Sequence, residues 1–258
     1  MDLGLQDKTA LVTGGSKGIG LACAKFLAAE GVRVAICSRS QSNVDAALSE
    51  LPGAFGMTAD LTSAEEAAGV VDTVWRELGP LDVLVTSAGA AKRTAPPDLT
   101  PAAWRDAMDS KYFSYVNVID PTVKKMAARG RGVIVNVIGT GGKVAFPTHL
   151  AGGAANAALM LVTAGLANAY AGQGLRILGV NPGLTLTERV DAAMKAMAKT
   201  DGITEAEAVK RATAAIPVGR FAEPDEVASV VTFLCSAQAS YLTGIVLGMD
   251  GASVPSVV

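Results

Sequence analysis

Seven short apolar runs set the limits on what this chain can fold into. TALVTG (Thr9–Gly14), RVAICS (Arg33–Ser38), AFGMTAD (Ala54–Asp60), DVLVTSAG (Asp82–Gly89), GVIVNVIG (Gly132–Gly139), RILGVNPG (Arg176–Gly183) and GIVLGMDG (Gly244–Gly251) are nearly continuous in apolar character. Strands with one wet face alternate polar and apolar residues, whereas unbroken runs belong to strands covered on both faces. Longer helical patterns lie between the runs, such as IGLACAKFLAAEG, which stops at Gly31. Strand–helix alternation with short connections predicts an α/β fold, a doubly wound parallel sheet with helices on both faces. Half of the 258 residues are apolar, and no linker, repeat or low-complexity segment interrupts them, so residues 1–258 read as a single domain.

One region breaks the rhythm. Residues 184–217, approximately, form two short amphipathic helical patterns with no strand between them. Asp201-Gly202 supplies the turn, and Thr204 with Glu207 three residues on resembles a capping box. An insertion after the carboxyl end of a strand lies where α/β folds bind ligands. It reads either as a substrate lid or as a packing or oligomer-contact element. Met194, Met197 and Ile203 within it point to an apolar ligand, or simply to helices that pack.

The net charge of −2, with both signs mixed along the chain, argues against a nucleic-acid or anionic-membrane partner. No apolar run reads as long enough to span a bilayer. Cys23, Cys37 and Cys235 sit far apart, which argues against a disulfide framework or a metal site and fits a reducing cytoplasm. MDLGLQDKTALVTGG has no basic region followed by an apolar one, so a signal peptide is not expected.

TGGSKGIG (Thr13–Gly20) follows the first strand and opens the first helix. Gly14, Gly18 and Gly20 permit a tight turn, close approach of backbone to a pyrophosphate, and close helix–strand contact. The helix amino terminus then offers free N–H groups and a partial positive charge. In that context the glycine pattern reads as a Rossmann-type dinucleotide site.

With this spacing the chain resembles the short-chain dehydrogenase/reductase family, and further matches run to its carboxyl end. Ala59-Asp60-Leu61 resembles the family's adenine-bracketing segment, and Ser87-Ala88-Gly89 its Asn-Ala-Gly, with Ser87 in place of Asn. Asn181-Pro182-Gly183 with Thr187 resembles the segment that contacts the nicotinamide. Arg220, Glu223-Pro224, Tyr241-Leu242-Thr243-Gly244 and Asp250-Gly251 resemble the carboxyl-terminal signature. The resemblance implies cofactor contacts from Ser16, Lys17 and Ile19 in the glycine loop, Ser38 and Arg39 after the second strand, Asp60 and Leu61, residues 87–89, and Pro182, Gly183 and Thr187.

The second strand ends Cys37-Ser38-Arg39, with no acid to accept from a ribose 2′-hydroxyl. Lys17 and Arg39 are placed to hold a 2′-phosphate by charge-assisted hydrogen bonds, unless they are two solvated cations. NADP(H) is therefore expected over NAD(H).

The family's active site uses an Asn, a Ser, a Tyr and a Lys for general acid–base chemistry and cofactor positioning. Registered from Trp104, VIVNVIG and Ala157-Ala158-Leu159, those four positions hold Lys111, Gly139, Gly152 and Asn156. All four usual residues are absent. The Asn and Lys positions are, however, exchanged. Asn156 would then contact the nicotinamide ribose and the Lys111 ammonium would enter the cavity, or Lys111 is a surface or ion-paired residue. His149, the only histidine, stands where enoyl reductases of this family carry their tyrosine. It is either an acid usable near neutral pH or a loop histidine at the pocket mouth. Thr140 orients a substrate oxygen only if the strand end is displaced.

Gly152-Gly153 is expected to leave open the space of the missing tyrosine ring. The small-residue helix GGAANAALMLVTAGLANAYAG either packs within the monomer or, as the resemblance implies, lies at a subunit interface of a homotetramer or dimer. Two functions remain open. One is an oxidoreductase with an atypical site, acting on a small, apolar carbonyl, alcohol or enone. The other is a pseudoenzyme that binds the dinucleotide as a sensor or structural subunit.

Overall fold

A computed structural model describes residues 2–89 and 91–255. The strands are β1 (Thr9–Thr13), β2 (Arg33–Ser38), β3 (Phe55–Thr58), β4 (Val83–Thr86), β5 (Gly132–Val137), β6 (Leu175–Pro182) and β7 (Val246–Met249). They form one sheet in the order β3-β2-β1-β4-β5-β6-β7, parallel throughout. Most are shorter than the apolar runs, because the last residues of every run but the second leave the ladder as crest loops. The chain moves outward from β1 to β3 and restarts at β4 on the other side of β1. The crest loops after β1 and β4 therefore diverge, which opens a crevice there.

The helices are α1 (Gly18–Ala29), α2 (Gln41–Ser49), α3 (Ala64–Glu77), α4 (Pro101–Ala107), α5 (Ser114–Arg129), α6 (Leu150–Tyr170), α7 (Glu188–Asp201), α8 (Glu205–Ala214) and α9 (Pro224–Cys235). Strand side chains alternate between two dry faces. Val12, Ile36, Val85, Val135 and Val180 pack with α1, α2 and α9. Leu11, Ala35, Leu84, Ile134 and Ile177 pack with α3, α5 and α6. Both faces being apolar explains the unbroken runs. Each aliphatic side chain buried this way contributes about 1.5–3 kcal/mol.

Between α4 and α5 the helix widens into a π turn, Met108–Phe113. The additional residue in that turn shifts the faces of the helix and brings Lys111 inward, to 7% exposure.

α6 corrects one sequence expectation. Pro147–Gln173 is long and apolar enough to span a bilayer, with a mean hydropathy of 1.6 over its best window. Its many alanines, with Leu159-Met160-Leu161-Val162, raise hydropathy, while small residues dilute the large apolar side chains along its length. In this fold the helix is a packing element, with Ala155, Leu159 and Ala167 buried against the sheet.

The region after β6 is the pair α7 and α8. Gly202 ends α7 at φ 65°, and Thr204 Oγ1 accepts from Glu207 N at 3.2 Å, half of the expected capping box. Val190, Met194, Ala198, Ala208, Ile216 and Phe221 form a small core of their own, with Met197 and Ile203 packed on it. The apolar residues expected to face a ligand are thus used to hold the two helices together.

Candidate cofactor cleft and active site

The glycine loop is pinned at the crest. Gly14 N donates to Cys37 O at 3.0 Å, and Thr13 Oγ1 accepts from Ser87 N and Ala88 N at 3.2 and 3.3 Å. These bonds tie the loops after β1, β2 and β4 together. A β-carbon at Gly20 would collide with Gly14 O, so only glycine lets the first turn of α1 sit this close to the loop. No side chain caps α1, and its first turn holds no acid. Its leading amides and positive dipole end are left for an anion, with Ser16 buried beside them and Ile19 packed on the core. The cradle fits a dinucleotide pyrophosphate.

At the end of β2, Ser38 O accepts from Ala59 N at 3.0 Å, which brings Asp60 beside that strand end. Thr62 donates to Asp60 through its backbone and its hydroxyl, and together with Arg39 nearby this holds the Asp60 carboxyl below its usual value. Ala59 and Leu61 are buried on either side. Lys17 differs from expectation. It reaches across the crevice to Glu188 of α7, with Nζ to Oε2 at 3.2 Å.

From Pro182, the last residue of β6, the chain turns through Gly183 to Thr187, which precedes α7. A β-carbon at Gly18 would lie 3.1 Å from Thr187 Cγ2. Arg189 Nη2 donates to Gly89 O at 3.3 Å. The start of α7 therefore spans the crevice, touching the glycine loop on one side and the β4 loop on the other.

Other side chains surround the positions expected to lack the family's residues. Gly139 has φ 125°, a conformation that side chains rarely adopt, and its N–H donates to Asn181 Oδ1 at 3.2 Å. This turns the strand end aside, so Thr140 opens a 3₁₀ turn, Thr140–Gly142, instead of continuing β5.

Lys111 is not a surface or ion-paired residue. Its Nζ donates to Tyr115 Oη at 2.7 Å and to Val137 O at 3.2 Å, and Tyr115 Oη donates to the same carbonyl. Burial, and secondarily Arg189, lowers Lys111 to about 7. Burial pushes the Tyr115 phenol up, so it stays a neutral donor.

Nor is the space beside Gly152 open. A β-carbon there would collide with His149 Cε1 and would lie 2.8 Å from both His149 Nε2 and Ala91 Cβ. One at Gly153 would lie 2.6 Å from Gly141 O. The imidazole lies beside Gly152, the position at which the sequence reading expects the family's tyrosine. Burial, then the charges of Arg93 and Lys111, lower His149 below its ordinary value. Asn156 is 4% exposed and lies next to Gly139 and Gly141. Its Oδ1 and the Nδ1 of His149 are buried without hydrogen-bond partners. Each is a polar atom in want of a ligand.

Tyr115, Arg93 and Arg189 escaped the sequence reading. Tyr115 lies four residues after Lys111, a helical contact spacing that offered a signal. The two arginines carried none, since tertiary contacts alone bring the loop of Arg93 and the first turn of α7 to the crevice.

The crossover crevice, the uncapped helix and the glycine cradle define a dinucleotide-binding α/β protein. A family model described as enoyl-(acyl carrier protein) reductase matches residues 14–252. The "uncharacterized oxidoreductase YvrD" of Bacillus subtilis (strain 168) is 32% identical over 99% of this chain and 100% of its own length. Among solved structures, a variant of actinorhodin polyketide ketoreductase with NADPH has a TM-score of 0.93 and 31% identity, covering 96% of this chain and 98% of that one. L-sorbose reductase from Gluconobacter frateurii, complexed with NADPH and L-sorbose, also has a TM-score of 0.93, at 28% identity and full coverage of both chains. The chain belongs to the short-chain dehydrogenase/reductase family of oxidoreductases.

Proposed function

We propose that this protein is an NADP(H)-dependent oxidoreductase that interconverts a small carbonyl compound or enone with its reduced form, using His149 and Lys111 in place of the usual tyrosine and lysine. The observation that carries the reading is the imidazole of His149 seated on Gly152, with the buried Lys111 charge acting on it. In the family a lysine lowers the pKa of a tyrosine acid. Here burial, then Arg93 and Lys111, lower the pKa of an imidazole acid, so cations again act on the proton donor, with different atoms.

NADP(H) is supported by the crest of β2, which has no acid, by Arg39 exposed beside it, and by structural relatives solved with NADPH. When bound, the cofactor gives or takes a hydride. In reduction, His149 donates its proton to the substrate oxygen; in oxidation, the neutral imidazole removes it. Lys111 acts on His149 as a charge or serves as a second proton source. Asn156 offers Oδ1 to a hydroxyl of the nicotinamide ribose. Helices α7 and α8 act as a lid, hinged where Glu188 and Arg189 cross the crevice.

Assembly into a homotetramer or dimer through α5 and α6 is supported by the apolar groove between them, lined by Val116, Ile119, Val123, Val162, Leu166 and Tyr170. Leu161 nearby is 75% exposed. Three free, buried thiols suit a reducing compartment such as the cytoplasm.

The test is NADPH oxidation with a panel of ketones and enones, alongside calorimetric NADPH binding. Turnover that falls about 10²–10⁴-fold in His149→Ala, with NADPH affinity kept, is expected. NADPH binding with no turnover on any member, unchanged by His149→Ala or Lys111→Ala, would instead identify a dinucleotide-binding pseudoenzyme.

A further inference from the structure

Two cations, Arg93 and Lys111, act on His149, and a third, Arg189, acts on Lys111. Arg93 comes from the loop after β4, Lys111 from the π turn and Arg189 from the first turn of α7. The Arg93 loop is bonded to the histidine loop through Thr94 N to Thr148 O at 2.9 Å, and Arg93 Nη1 reaches Thr148 Oγ1 at 3.5 Å. Arg189 and Lys111 hold only neutral partners, Gly89 O for the first, Tyr115 Oη and Val137 O for the second. Among the described residues, no carboxylate oxygen lies within 4.0 Å of any of these three cations.

The charges that lower His149 and Lys111 are all positive. Gathering like charges in a partly dry crevice costs stability, and their hydrogen bonds to neutral partners leave that charge unbalanced. A concave site of one sign instead concentrates a ligand of the other.

The cofactor's phosphates do not account for it. Their cradle lies over β1, whereas Arg93 and His149 lie past β4, among the loops that follow β4 and β5. The buried, unpartnered Nδ1 of His149 is a second sign that a ligand completes this end of the crevice.

We propose that the substrate carries an anionic group, a carboxylate or a phosphate, held by Arg93 and His149 in the field of Lys111 and Arg189. This rests on the oxidoreductase reading only in naming the anion's bearer as the substrate; the anion site stands on the four side chains. The consequence for the chemistry is direct. The bound anion offsets the cations that discharge His149 and so favours the imidazolium that reduction requires.

The chain's single histidine makes the test specific, because the imidazole resonances of the untagged full-length protein belong to His149 alone. Its protonation midpoint is followed by NMR with four probes: acetoacetate, methyl acetoacetate, dihydroxyacetone phosphate and dihydroxyacetone. Acetoacetate, dihydroxyacetone phosphate or both are expected to raise the midpoint, while their neutral counterparts leave it in place. A rise of about one unit corresponds to about tenfold tighter binding to the charged ring. Arg93→Gln is expected to weaken anion binding about tenfold. A rise with acetoacetate alone assigns a keto acid, and one with the phosphate alone a phosphorylated carbonyl. An unmoved midpoint with all four probes, or equal movement by the neutral pair, overturns the proposal. Because the readout is independent of turnover, anion binding without NADPH oxidation leaves this site standing and removes the enzymatic reading. NADPH oxidation without anion preference does the reverse.

Discussion

The imidazole of His149 rests on the bare backbone of Gly152, three residues along the same chain, close enough that no β-carbon fits between them. On the proposed mechanism, the position without the family's tyrosine is the seat of the proton donor. Gly152→Ala tests this. The methyl group would push the ring out of the crevice, so turnover is expected to fall about 10²-fold or more while NADPH affinity changes little. Overpacking would cost about 1–3 kcal/mol, read as a lower denaturant midpoint. A variant with unchanged turnover would remove His149 from the proton-transfer role.

The pH profile follows from the sign of the His149 shift. The ring loses its proton below the ordinary value of 6.5, so carbonyl reduction, which needs the protonated ring, is expected to decline as pH rises through that lowered value. Alcohol oxidation, which needs the neutral ring, rises through the same range. The limb in kcat/KM reports the free enzyme. The limb in kcat reports the complex and is expected at higher pH if the substrate is anionic. A reduction rate independent of pH below 7 would exclude His149 as the donor.

Lys111→Met replaces a buried amine with an apolar chain of similar size. The folded pKa of about 7 lies below the unfolded 10.5, so between these values the unfolded chain binds more protons. Stability therefore rises with pH across that window, and the full penalty of the buried charge is present below about 7. The substitution is expected to stabilise the fold by about 1–4 kcal/mol at pH 6. For a chain of this size each kcal/mol raises Tm by about 2–4 °C. The gain should vanish toward pH 10, and a gain that does not depend on pH would mean Lys111 is not discharged in the fold.

Arg39→Ala addresses cofactor choice. Lys17 is occupied by Glu188, so Arg39 is the cation left at the end of β2 for a 2′-phosphate. The ratio of NADPH to NADH affinity is expected to fall about tenfold or more, mostly through NADPH. An unchanged ratio would place the phosphate elsewhere.

What the sequence by itself determined is the architecture and the cradle. Apolar runs such as VIVNV are legible because both faces of a central strand must be dry, and TGGSKGIG because a β-carbon at Gly20 has no room. Lys111 and Asn156 were singled out as well, by counting from neighbouring motifs. Where those side chains go was not legible. Lys111 is buried because a π turn rotates it toward Tyr115 and Val137 O, and nothing local in MDSKYF announces that turn. His149 fills the site because the 3₁₀ turn before α6 aims it at Gly152. Arg93 and Arg189 meet the crevice only once β4, β5 and β6 are side by side. The backbone plan is written in local periodicity, whereas the charge of the active site arises from contacts among residues up to about a hundred positions apart, which only the packed chain brings together.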